Sequence, residues 1–272
     1  MEGGQSRSNR EAVILIHVHT KLELELVHSM GLLIRLAAHP ERLKAIQGEE
    51  SLQLPVSFSD SFSDSLGNPI SRLRLNAGIH TIEYRLSAAQ PCFGAGLDPL
   101  LGFTPLSELP TDTLAFLQPS RYVDSDRLGT AAFEVVEGTK NAGEQVLALF
   151  DWVRETLPYR PGMSAQPLSA SEVIKAGQGV CRDLAHVLIG MVRAISIPAR
   201  YVVGYVRGLE PQDVHAWAEI YIAGRWLHLD PTFPTQNAQR VPVIHGRDAA
   251  DVAIMDQFGP LPLRSEMQVT VW

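Results

Sequence analysis

Two cysteines in 272 residues, Cys92 and Cys181, lie far apart in the chain. That scarcity excludes a disulfide framework and suits a reducing compartment, where a lone thiol stays free to react. Basic excess is also lacking. With 23 Lys and Arg against 30 Asp and Glu, the formal net charge is −7. A chain of that balance has no surplus to neutralise phosphates, so nucleic acid is not the expected partner. No long apolar run is present. Residues 12–16 are too few for a signal-peptide core, and nothing later reaches the roughly 20 apolar residues of a spanning helix. The expected location is therefore the cytoplasm, with no membrane partner. The nine histidines do not cluster with cysteines or carboxylates at ligand spacings, so neither a structural metal nor a cofactor is implied.

What is present is a globular composition, 45% hydrophobic and 19% charged, which can bury a sizeable core in one large domain or two ordinary ones. The first third reads as strands at residues 12–19, 21–27, 51–58, 71–76 and 80–86, with turn chemistry at 64–69 and 76–78. An antiparallel β-domain, sandwich-like, is the simplest reading. Residues 88–119, rich in Pro, Gly and Leu, read as an irregular connector. Helical period begins at Ala142, where Val146, Phe150, Val153 and Leu157 mark one face that should end before Pro158. Ser169-Ala170-Ser171-Glu172 has the form of a capping box, and that helix should stop at Gly177. Leu184, Val187, Leu188, Met191, Val192 and Ile195 then form the cleanest helical stripe in the chain. Strands are expected at 201–206, 215–222, 225–230 and 266–272. The division is 1–118 for the β-domain with its connector and 119–272 for a second domain including the last strand.

Chemistry concentrates in the second part. Cys181 follows a glycine-rich turn and opens the striped helix, where the macrodipole and free N–H groups favour a thiolate. His215 and Asp230 follow on neighbouring strands. A two-residue turn at Ala223-Gly224 would pair Ile222 with Arg225 and set Trp217 opposite Asp230. His215 and Asp230 then become diagonal neighbours on one face, close enough for contact. Nucleophile, imidazole and carboxylate are the parts of acyl-transfer chemistry on an amide. The Cys181 N–H is a candidate oxyanion donor, and Gln178 is a candidate for the second. His228 lies on the same face and rivals His215 as base. His186 falls off the apolar stripe and should be solvated or hydrogen-bonded. Cys92 reads as a buried small side chain without a role. Asp183 and Glu219 read as ion-pair residues.

At these residues the chain resembles the bacterial transglutaminase-like family, a branch of the papain-like cysteine enzymes. The resemblance runs through Gly179-Val180-Cys181-Arg182-Asp183-Leu184-Ala185-His186, residues 197–205, His215-Ala216-Trp217-Ala218-Glu219 and Trp226-Leu227-His228-Leu229-Asp230-Pro231-Thr232. Residues 119–122 and 246–253 are similar too, and the β-region resembles the domain that often precedes the family's core. The resemblance implies an α+β fold with the nucleophile helix packed on an antiparallel sheet. It also implies Cys181 as nucleophile, His215 as base and acid, Asp230 as orienter, and a thioacyl-enzyme formed from a peptide or protein. Leu184 stands where the family often has Phe, Ser196 where it often has Gly, and Phe233 where Asn often follows; none removes a catalytic group. The calcium carboxylates of animal transglutaminases are not evident. Hydrolysis is favoured over transfer to an amine, because water is always present and no amine pocket is obvious. The alternatives are an acyltransferase with the same triad and a non-catalytic protein-binding module on the same scaffold.

Overall fold

The structure, a computed structural model, describes residues 13–43, 47–55, 58–91, 97–162, 166–233 and 238–272. Cys92 lies outside them. Among the described residues, twelve strands form three four-stranded antiparallel sheets. In the first, β1 (Val13–Leu26) pairs along its whole length with β6 (Gly78–Pro91), and β3 (Gln47–Gln53) and β12 (Arg264–Val271) flank them in the order β12-β1-β6-β3. The second has the order β11-β2-β5-β4, from β2 (Met30–Ile34), β4 (Phe58–Ser63), β5 (Pro69–Leu75) and β11 (Met255–Phe258). Strict alternation builds the core between these sheets. Ile16, Val18, Leu22, Leu24 and Leu26 of β1 enter one buried cluster with Met30, Leu32 and Ile34 of β2 and Ile82, Tyr84 and Leu86 of β6. The N-terminal region is thus two sheets around one apolar core, as expected. Its last strands come from the far end of the chain: β11 and β12 hydrogen-bond to β2 and β1, whereas a 119–272 division groups them with the second domain.

The third sheet has the order β10-β7-β8-β9, from β7 (Ala199–Val206), β8 (His215–Ile222), β9 (Arg225–Leu229) and β10 (Arg240–Gly246). The helices are α1 (Pro40–Leu43), α2 (Gly129–Val135), α3 (Ala142–Thr156), α4 (Ala170–Ala176) and α5 (Cys181–Ala194). Helix α5 packs on β7 and β8. Leu184, Val187, Leu188, Met191 and Val192 are at most 1% exposed. At about 1.5–3 kcal/mol for each buried aliphatic side chain, this stripe holds the helix far more firmly than propensity does. Ala216, Ala218, Ile220 and Ile222 of β8 join the same core. Val146, Val153 and Leu157 bury the face of α3 read from the sequence. No helix among the described residues is long and apolar enough to cross a membrane.

Candidate active site

The loop that presents Cys181 is fixed from both ends. Gly177 adopts φ 69°, the left-handed conformation that ends α4. Gly179 packs on the first turn of α5 so closely that a Cβ there would lie 2.7 Å from the Asp183 Cβ. Its carbonyl accepts Arg160 N at 2.8 Å, and its N–H donates to Pro158 O at 3.4 Å. Asp183, fully buried at the third position of α5, accepts Val180 N at 3.2 Å and Arg182 Nε at 3.1 Å. This is half a capping box, because Val180 has no side-chain acceptor to return the bond. Cys181 is therefore the first helical residue, half-buried, with no intrahelical acceptor for its N–H. Gln178 is half-buried in the same turn.

His215 starts β8 and is 5% exposed. The Ala223-Gly224 turn has φ of 51° and 77°, and Ile222 pairs with Arg225, so the register is the one expected for a two-residue turn. The ladder runs to Ala218 and Leu229, and Asp230 follows at once. Asp230 Oδ2 meets His215 Nε2 at 2.8 Å. The other oxygen, Oδ1, accepts Thr232 N at 3.0 Å, Thr232 Oγ1 at 2.9 Å and Phe233 N at 3.0 Å. Arg240 Nη2, from β10, donates to Oδ2 at 3.2 Å. With Nε2 taken by Asp230, the second ring nitrogen, Nδ1, is left for Cys181, whose nearness helps to raise the imidazole pKa.

Electrostatics follow from these contacts. Burial opposes a charge on His215, but the hydrogen bonds to Asp230 and Cys181 and their negative charge outweigh it and raise the imidazole pKa to about 9. Burial likewise opposes ionisation of Asp230. The His215 hydrogen bond and the His215 and Arg240 charges prevail and hold its pKa below the usual 3.8. Tyr159, 48% exposed, bridges Gly179 through its backbone. Partial burial first, then the charges of Cys181 and Asp213, raise its phenol pKa.

These directions predict a pH-dependent stability. A raised imidazole pKa stabilises the fold in full below 6.5, and that contribution disappears as pH rises through about 9. Asp230 acts in the opposite sense. Its contribution is present above 3.8 and is lost as pH falls through its lower folded value. The unfolding free energy of wild type minus that of His215→Gln should therefore shrink across the alkaline window, by at most about 3 kcal/mol. Urea titrations at a series of pH values measure it.

The other residues singled out in the sequence lie elsewhere. His228, the rival base, turns to Glu219 and Trp217: its Nδ1 is 2.9 Å from Glu219 Oε1 and accepts Trp217 Nε1 at 3.0 Å. His186 is buried, not solvated. It accepts Ala249 N at 3.2 Å and stacks on Tyr122, and burial lowers its pKa to about 4. Sequence reasoning missed Arg240 and Thr232 as partners of Asp230. The signal for Arg240 was a single cation at the head of an otherwise apolar run, Val241-Pro242-Val243-Ile244.

Residues 129–231 match the transglutaminase-like superfamily. This segment is a transglutaminase-like domain. It contains the loop of Cys181, the strand of His215 and Asp230. A solved structure described as a putative cysteine protease from Cytophaga hutchinsonii is 29% identical and superposes with a TM-score of 0.84, covering 96% of this chain and 91% of that one. The likeness therefore includes the N-terminal sheets as well as the domain. Uncharacterized protein ML0607 of Mycobacterium leprae is 27% identical over 214 residues, 74% of this chain and 76% of that protein. Uncharacterized protein Rv2569c of Mycobacterium tuberculosis is 38% identical over 109 residues, and that match spans 35% of each chain.

Proposed function

We propose that this transglutaminase-like chain is a cysteine-dependent amide hydrolase acting on peptides or proteins, with Cys181 as nucleophile, His215 as base and acid, and Asp230 as orienter. The observation that carries the reading is the 2.8 Å bond between His215 Nε2 and Asp230 Oδ2, which leaves Nδ1 to face Cys181, a thiol near enough to raise the imidazole pKa. Asp230 holds the proton on Nε2, so Nδ1 can take the thiol proton. The sulfur attacks the amide carbon, a C–S bond forms, and negative charge builds on the carbonyl oxygen. The Cys181 N–H, and Gln178 as second donor, stabilise that charge. The C–N bond breaks as His215 returns its proton to the leaving amine. Water then gives a proton to His215 and attacks the thioacyl carbon, releasing the acid and restoring the thiol. Transfer to an amine would use the same intermediate with a different acceptor. The substrate is an exogenous peptide or protein rather than nucleic acid or lipid, and a free catalytic thiol suits the reducing cytoplasm.

The test is capture of the acyl group. Peptide libraries are incubated with the protein and hydroxylamine, and hydroxamate products are sought by mass spectrometry. Products formed by wild type and absent with Cys181→Ala support the reading, and isotope from heavy-oxygen water in the acid product assigns hydrolysis. Absence of any hydroxamate, with Cys181 inert to alkylation, overturns it in favour of a binding module.

A further inference from the structure

We propose that Trp217, His228 and Glu219 form a positioning chain behind the active site that sets the orientation of the His215 imidazole. This rests on the proposed role of His215. Trp217 lies two residues beyond His215 on the same side of β8, and the two rings stack with centroids 6.4 Å apart and planes 23° apart. The indole is fully buried, packed with Val202 and Val206 and against Leu209 and Phe233, which belong to the loops on either side of the catalytic pair. Gly204, the register partner of His215, makes room for it; a Cβ there would come within 2.9 Å of the Trp217 ring.

Packing alone does not fix the rotation of a flat ring about its own bonds. The indole N–H does, through the 3.0 Å bond to His228 Nδ1. That same nitrogen lies 2.9 Å from Glu219 Oε1, a close approach and not a second hydrogen bond, since a ring nitrogen that accepts the indole N–H has no proton to give. Glu219 is fully buried. Its other oxygen takes Arg200 Nε at 2.7 Å, and Arg200 Nη2 is also 2.7 Å away. Arg200 continues to His245 Nε2 at 3.1 Å, to Glu41 of α1 at 3.8 Å, and lies 4.3 Å from the centre of the Trp226 ring. The chain therefore runs from the imidazole to the N-terminal region. Buried ion pairs of this kind add little net stability, since desolvation offsets their attraction. What such a chain does supply is a single ring geometry at His215.

The test uses the full chain with Trp217→Phe, which keeps an aromatic ring, smaller than the indole, and removes the N–H, and with Glu219→Gln. Trp152→Phe, in α3, is the control for loss of an indole elsewhere. Two properties are read: the pH profile of Cys181 alkylation, and the nitrogen NMR signals of the His215 ring, which report its tautomer and its bond to Asp230. The expected result for Trp217→Phe is displaced His215 signals and alkylation about tenfold slower or more at neutral pH, the cost of a slightly misplaced catalytic group. Trp152→Phe should change neither. Glu219→Gln should act in the same direction; if it does not fold, Trp217→Phe decides alone. Unchanged His215 signals in folded Trp217→Phe overturn the proposal. If wild-type Cys181 reacts no faster than a free thiol, the enzymatic reading fails separately, and the ring signals still decide whether the chain orients His215.

Discussion

Asp230→Asn lowers turnover by about ten-thousand-fold, the scale seen when a catalytic imidazole is held in the wrong tautomer. The cause is local. Asp230 Oδ2 accepts from both His215 Nε2 and Arg240 Nη2. An amide NH2 turned towards them would meet donors. The imidazole answers by moving its proton to Nδ1, the nitrogen that must receive the thiol proton. Turning the amide the other way sets its NH2 against the N–H groups of Thr232 and Phe233, which now bond Oδ1. Either choice spoils the site. Hydroxamate formation below the melting temperature measures the loss, and a variant retaining more than about a tenth of wild-type turnover contradicts the role of orienter.

Arg240→Met destabilises the fold by about 3 kcal/mol, the low end for a broken buried pair, because one of two cations leaves the carboxylate while His215 stays beside it. Arg240 is 4% exposed and Asp230 3%. The guanidinium also caps two carbonyls, donating to Phe233 O at 2.8 Å and Ala238 O at 3.2 Å. Methionine fills the space but answers none of these acceptors. Arg240 is also among the causes of the low Asp230 pKa, so the variant should raise the pH at which acid unfolding begins. Urea unfolding at neutral pH gives the first quantity. A loss of about 1 kcal/mol or less, the size of an exposed pair, would contradict it.

The part that carries the candidate site was legible in the sequence because its signals are local. The capped start of α4, its left-handed glycine stop, the stripe of α5 and the two-residue turn between β8 and β9 each depend on neighbours in the chain. That turn alone brings His215 and Asp230 to one face, since a strand alternates with period two. Other elements depend on distant partners. Strand β1 is one continuous strand, not the two read at 12–19 and 21–27. Thr20 and Lys21 break the apolar pattern, yet Thr20 is buried in alternation with its neighbours while Lys21 pairs with Glu23 outside. The segment read at 51–58 straddles the end of β3 and the start of β4, whose polar Ser-Asp-Ser sequence gives no apolar period. Residues 88–91, assigned to the connector, extend β6, and turns of 3-10 helix occupy Leu106–Glu108 and Thr111–Leu117. No strand was expected at β10, whose Pro242 the structure accommodates with a bulge between Pro242 and Ile244. Arg240, at the head of that strand, reaches Asp230 only through the sheet's long-range pairing of β10 with β7, which no local pattern reports.

The central claim is that Cys181 and His215 act as one reactive pair. The measurement is the rate of iodoacetamide labelling against pH, mapped to the residue by mass spectrometry, in wild type and His215→Ala. An imidazole that stays charged to about pH 9 beside the sulfur predicts rapid labelling of Cys181 below neutrality, lost in the variant. Labelling that begins only at about pH 8.5, the free-thiol value, and is equal in both proteins would contradict the account.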